Sequence, residues 1–400
     1  MKRRYTATLA LLLAFSLTAC STGGVPSQSG TSALSSQSSP SDPATLEAEI
    51  AVDTADQYRG LGELGQTIYR RIVYAANSLN RSAVVLPAEA VMADIDGAFN
   101  AVMADMPELF WLHKSLKMIT DNGEVRIYLD YSVDSEEELQ EKQLKLEEAV
   151  AEAMAVLPEG ADEFNRELLL HDWVVRRVEY DSAAAADQTG EYPQAYTVYG
   201  ALVEGKAVCE GYARAMQLLL RKAGMGCSLI SGKAGGDEHM WNLVTVDGAL
   251  YHLDATWDDS IMTEGGQEIS HLYFNLTDEE IAATHSDFDA PGCTAGDNNY
   301  FARMGRMFDA FDDDTRAAIV SAIAMSAMSG ESTLELRFSS AEAANAAYDA
   351  IVRGNEIFSL LTQANASLES PLLDDTNVGF GTADENLHVI TILLHFASAG

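Results

Sequence analysis

Cys209 lies in GKAVCEGYA, His239 in EHMWNLV and Asp254 in YHLDATWDD, in that order along a chain of 400 residues. A thiol, an imidazole and a carboxylate together make the working set of catalysis at sulfur. The thiolate, not the thiol, is the nucleophile, and an imidazole oriented by a carboxylate is a common way of generating it at neutral pH. The chemistry such a set performs is attack on an acyl carbon, with departure of an amine, an alcohol or ammonia.

The elements that must position these residues can be read around them. AYTVYGALVEGKAVCEGYARAMQLLLRKAGMG reads as an approach, a glycine-containing turn and a helix that begins at or near Cys209. Unpaired N–H groups and the positive end of the helix dipole stabilise a thiolate there, and the same N–H groups can receive an oxyanion. Gly205 and Gly211 flank the site and are expected to let backbone approach a substrate closely. CSLISGKA, MWNLVTVD and ALYHLDATW read as three strands, with Asp247-Gly248 as a hairpin turn between the last two. His239 is expected to open one strand and Asp254 to lie within the next, so that they meet across the ladder and the second ring nitrogen is held. Asp258 and Asp259 are expected in a solvated turn after that strand, and Asp237 and Glu238 away from the thiol. Tyr199, Tyr212, Trp241 and Trp257 are candidates for lining an acyl pocket, with packing as the alternative. Tyr199 and Trp173 could reach an oxyanion, although packing suits both better.

VCEGYA, HMWNLV and YHLDATWDD resemble the three catalytic blocks of the transglutaminase-like superfamily. HDWVVRRVEYD and HLYFNLTDEEI resemble the flanks of its exported bacterial members, so the resemblance runs from about residue 165 to about residue 300. It implies an α+β fold with a papain-like core, in which the helix bearing the nucleophile packs on an antiparallel sheet. It also implies Cys209 as nucleophile, His239 as general base and acid, and Asp254 as orienter. Members of this superfamily crosslink, deamidate, cleave or deglycosylate proteins, and some have lost catalysis, so the substrate does not follow. The function expected is thiol-mediated acyl transfer on peptide or protein amides, with hydrolysis favoured over crosslinking. The alternative is a non-catalytic surface module that binds peptide or cell-wall polymer through a vestigial triad.

The outer parts are read from composition. Lys2, Arg3 and Arg4 precede ATLALLLAFSL, and Leu17-Thr18-Ala19-Cys20 resembles a lipobox. Residues 1–19 are therefore expected to be a lipoprotein signal peptide, with Cys20 as the lipidation site and membrane anchor at the extracytoplasmic face of a bacterial membrane. Residues 20–45 are rich in Ser, Gly and Pro and are expected to form a flexible tether. Three further regions follow: a mostly helical 46–160, the catalytic domain at 161–299 and a small α+β unit at 300–400. Within the first of these, a helix is expected from about Pro87 to Met103. The formal charge of −36 argues against nucleic acid as a partner. With Cys20 lipidated, the odd number of cysteines leaves at least one thiol free and a Cys227–Cys293 bridge open. No metal or other cofactor is expected: His171, His252, His271 and His285 show no ligand spacing with Cys293, and no loop has the EF-hand pattern.

Overall fold

The computed structural model describes residues 56–187, 190–259, 261–263, 266–381 and 387–397. The expected signal segment, Cys20 and the tether lie outside the described residues. No helix among the described residues is long and apolar enough to cross a membrane.

In the N-terminal region, the spacing of Leu64, Ile68, Tyr69 and Ile72 predicts a buried helical stripe; helix α1 (Glu63–Asn77) buries Ile68, Tyr69 and Ile72, leaves Leu64 half-buried and adds Val73 and Ala76. Strand β1 (Val84–Leu86) follows, then helix α2 (Met92–Asp105). The helix expected from Pro87 starts later. Pro87 opens a tight turn closed by Ala90 N–H (3.0 Å), and the helix begins only where Asp94 accepts a hydrogen bond from Val91 N–H (3.1 Å). Strands β2 (Leu112–Asp121) and β3 (Glu124–Tyr131) form a hairpin through Asn122-Gly123, both with positive φ. β3 alternates and is legible in the sequence; β2 is not, because it is deeply buried at one end only and its two lysines break the pattern. Helix α3 (Glu136–Met154) is capped by Ser135, which accepts from Glu138 N–H.

The central region begins with α4 (Glu163–Arg177), capped by Asp162. Helix α5 (Cys209–Lys222) buries every residue from Glu210 to Leu220. It packs on β4 (Cys227–Ala234) and β5 (Asp237–Val246). β6 (Ala249–Leu253), the single turn α6 (Ala255–Asp258), β7 (Phe274–Leu276) and β8 (His285–Ser286) complete the unit. The sheet is antiparallel throughout, in the order β7-β6-β5-β4-β8. Asp247-Gly248 makes the β5–β6 turn with φ of 52° and 80°, the left-handed pair that a two-residue hairpin requires. The chain is thus mixed α+β, with a helix bearing Cys209 on an antiparallel sheet.

The N-terminal and central regions share one hydrophobic core, from Tyr58 to Phe301, which also takes in Leu387 and Val389 of the C-terminal region. The change of region near residue 160 is therefore not a break in the packing. Leu219 and Leu220 of α5, both fully buried there, each contribute about 1.5–3 kcal/mol by burial alone.

The C-terminal elements are β9 (Met307–Phe308), α7 (Asp313–Ser329), β10 (Thr333–Phe338), α8 (Ala341–Tyr348), α9 (Ile357–Ser367), β11 (Leu373–Phe380) and β12 (Val389–Phe396). Their sheet has the order β9-β10-β12-β11 and a core of its own. Polar contacts tie it to the central region. Arg337 pairs with Glu280 at 2.8 Å, while the Glu335 carboxylate accepts from Ser270 Oγ (2.7 Å) and His271 N–H (3.0 Å).

Candidate active site

Cys209 is the first residue of α5. Val208, extended and without a capping side chain, precedes it. Gly205 makes the approach turn with φ 72°, and Lys206–Ala207 then runs parallel to Glu179–Tyr180. Both Gly211 and Tyr212 donate their N–H groups to Val208 C=O (2.9 and 3.2 Å). The amides of Cys209 and Glu210 thus stand at the open end of the helix, where no intrahelical acceptor exists. Gly211 serves packing, not substrate approach. A Cβ there would sit 2.6 Å from Ala207 Cβ and 2.7 Å from Ala195 C=O. Only glycine lets the 195–197 stretch lie against the nucleophile's helix.

His239 is the third residue of β5 and faces Cys209. Its Nε2 lies 2.7 Å from Asp254 Oδ2, and its ring is hydrogen-bonded to the Cys209 sulfur. With Nε2 committed to the carboxylate, Nδ1 is the nitrogen left for sulfur. Trp241 stacks on the ring (centroids 5.9 Å, 21°), and Trp257 meets it edge-on at 6.3 Å. Burial opposes charging the ring, but Asp254 and a negative Cys209 outweigh it and raise the imidazole pKa to about 10. The arrangement therefore holds an imidazolium between a sulfur and a carboxylate at neutral pH.

Asp254 lies just past the end of β6, not within it, as the residue that caps α6. Its Oδ1 accepts from Thr256 N–H (3.0 Å) and Trp257 N–H (3.3 Å), which turns Oδ2 toward the imidazole. Oδ2 takes a second ring as well: His285 Nε2 is 3.0 Å away, while its Nδ1 meets Thr284 Oγ1 at 2.9 Å. Burial works against the Asp254 carboxylate, yet His239 and His285 hold it well below the ordinary aspartate range. His285 is wedged among Trp241, Trp257 and Tyr273 at 4.9–5.6 Å between centroids. It holds the same carboxylate oxygen as His239, with the two rings in edge-on contact at 5.5 Å between centroids. Nothing in the sequence signals this role, because His285 sits on a two-residue edge strand with no motif around it.

The four aromatic candidates separate into two pairs. Trp241 and Trp257 wall the His239 ring. Tyr199 and Tyr212 correct the sequence reading, since neither has a face open to substrate. Tyr199 is buried and stacked on Phe110 at 4.8 Å. Tyr212 is fully buried, with its hydroxyl on Val178 C=O and on Asp259. Trp173 lies under Arg177 as a cation–π partner. Burial raises the pKa of Tyr180 and Tyr196, and a negative Cys209 adds to both shifts.

Asp258 overturns a further expectation. It is wholly buried, not solvated, and starts a polar chain through the interior. Its Oδ1 accepts from Tyr273 N–H (2.9 Å), and its Oδ2 meets His171 Nε2 (3.1 Å). His171 Nδ1 meets Asp172 Oδ1 (3.1 Å), the same oxygen meets His271 Nε2 (2.9 Å), and Glu335 follows on β10. Asp259 is likewise half-buried against Tyr212.

Among the described residues, three groups bring ligand-type atoms within 4.8 Å of one another: His171–Asp172–His271, His239–Asp254–His285 and His252–Asp278–Cys293. The last corrects the reading that His252 has no ligand spacing with Cys293. Its geometry favours hydrogen bonds over a cation. Trp241 Nε1–H donates to His252 Nδ1 (2.9 Å), so the His252 proton lies on Nε2 and points at Asp278 Oδ1 (2.9 Å). A metal at Nε2 would need a proton on Nδ1, against the indole N–H. Cys227 and Cys293 are both free thiols, so they form no bridge. Burial raises each to about 12, as expected of structural cysteines and not of nucleophiles.

Comparison with known proteins agrees with this architecture. Residues 150–255 match the family model of the transglutaminase-like superfamily, and the chain carries a domain of that kind. The human and mouse proteins named kyphoscoliosis peptidase are 26% and 25% identical over 130 residues, covering 30% of this chain and 19% of each relative. The chain thus spans about a fifth of the length of these curated relatives. A solved structure described as a TGase aligns with 14% identity over 56% of this chain and 61% of its own, with a TM-score of 0.28.

Proposed function

We propose that this protein is a surface-anchored cysteine enzyme that transfers acyl groups from peptide or protein amides, by default to water. One observation carries the reading: the His239 imidazolium bridges the Cys209 sulfur and the Asp254 carboxylate at the open end of α5. Cys209 Sγ attacks the amide carbon, and the carbonyl electron pair moves onto oxygen, facing the free amides of the first helical turn. The C–N bond then breaks as the His239 proton passes to the departing amine or ammonia, leaving a thioester. Water adds to the thioester while His239 takes its proton, and the C–S bond breaks to release a carboxylic acid. Excluding water in favour of an amine acceptor requires an enclosed site, whereas Cys209 stays partly open.

The test is release of ammonia or amine from a panel of peptide amides and cell-wall fragments. Turnover by the wild type should fall about 10⁴-fold in Cys209→Ala. No turnover on any amide, with wild-type Cys209 no more reactive than glutathione, would instead leave a binding module with a vestigial triad. Anchoring through Cys20 has its own measurement. Intact mass of membrane-extracted protein should show acyl chains on a chain beginning at Cys20, and an unmodified mass would refute it.

A further inference from the structure

We infer that the N-terminal region supplies a subsite beside Cys209 for a bulky, neutral apolar side chain of the substrate; the inference rests on the acyl-transfer reading above. A cavity of about 420 Å³ lies between the two regions that share the larger core. That is the size of a small-ligand site. Met103, Met106, Phe110 and Leu112, from the end of α2 to the start of β2, form one wall, and Tyr196 and Thr197 form the other.

Two contacts join this cavity to the nucleophile. Ala195 C=O accepts from Val208 N–H (3.0 Å), the residue before Cys209. Glu210, the residue after it, pairs with Lys114 and with Arg214 (2.8 Å), both of which also line the cavity. The wall and the first turn of α5 are thus one packed unit.

The same pairing sets the chemical class of the occupant. Lys114 and Arg214 would suit an acidic group if they were free. Glu210 offsets one of these charges and Asp187, which also lines the cavity, the other; Arg214 further donates to Met103 C=O (2.6 Å), and Lys114 sits over the Tyr196 ring at 4.9 Å. Beyond these groups the wall from Met103 to Leu112 presents thioether, aliphatic and aromatic surface, with His113, Ser132, Gln194 and Thr197 as the rest of the polar lining. Substrates with a Phe- or Leu-sized residue flanking the attacked amide should therefore be preferred over those with glycine.

The test uses two thiol probes with the same reactive carbon, N-(2-phenylethyl)chloroacetamide and N-methylchloroacetamide. Cys209 labelling is followed by mass spectrometry on the full chain and referenced to glutathione. The phenylethyl probe should label Cys209 about tenfold faster than the methyl probe, beyond the ratio seen with glutathione. Met106→Trp fills the cavity and should bring that ratio down to glutathione's. Met103→Trp, from the same helix, gives an independent second reading. A wild-type ratio equal to glutathione's, or one that survives both substitutions, overturns the subsite. His239→Ala separates the two ideas. It should slow both probes alike if the acyl-transfer reading holds, and it leaves their ratio untouched.

Discussion

Alkylation of Cys209 by iodoacetamide at pH 6 should slow about 100-fold when His239 is replaced by alanine. The ring is charged at that pH, because Asp254 and a negative Cys209 more than offset its burial and carry its pKa to about 10. Removing it takes a positive charge from direct contact with sulfur and leaves Asp254 nearby with only the His285 ring on its Oδ2. An ordinary thiol, titrating near 8.5, then offers only about 0.3% thiolate at pH 6. The pH profile distinguishes the two states. Across pH 6 to 8, where His239 stays charged, the wild-type rate should climb less steeply with pH than the rate of His239→Ala, which should gain about tenfold per unit. A tenfold gain per unit in the wild type would mean that the imidazolium does not sustain the thiolate. The stability linkage has a definite sign as well. A histidine raised from 6.5 to about 10 stabilises the fold fully below pH 6.5, and that contribution fades as pH climbs through about 10.

Glu335→Ala should cost about 3–5 kcal/mol of stability at pH 6, although Glu335 lies outside the catalytic region. The substitution strips the acceptor from Ser270 Oγ and His271 N–H in a dry interior. It also removes one of the two carboxylates that keep His271 charged. Burial resists that charge, but Asp172 and Glu335 raise the pKa of His271 to about 9. With the folded value above the unfolded one, the stabilisation is complete below about pH 6.5 and is lost as pH rises through about 9. The gap in melting temperature between wild type and variant should accordingly be wide at pH 6 and narrower at pH 9.5. An equal gap at both would assign the whole cost to the lost hydrogen bonds and none to the imidazolium.

The parts of this molecule that follow local rules were legible. The helix start at Cys209, the Asp247-Gly248 hairpin and the stripe of α1 each rest on a few neighbouring residues. β2, α9 and β11 were not, for a shared reason: their patterns are set by distant partners. α9 crowds Ile357, Phe358, Leu360 and Leu361 into its first turns and continues with small residues, so no full stripe appears. The candidate site divides the same way. The thiol, imidazole and carboxylate sit in recognisable runs. His285 reaches the same carboxylate from an edge strand 31 positions later in the chain. Asp258 was misjudged because an aspartate after a strand is normally solvated. Its burial depends on His171, which lies 87 positions earlier.

Asp254 holds two imidazoles with one oxygen and the first turn of α6 with the other. Its chemical and architectural duties cannot be surrendered separately. Cys209 carries no such double burden, since its side chain caps nothing and the helix behind it is buried from Glu210 onward. The two residues therefore differ in how they could be lost over generations. A lineage abandoning this reaction could shed the sulfur at little structural cost, while the carboxylate would linger as scaffolding. In a decaying copy of this gene, the aspartate would be the last of the three to record what the site had been for.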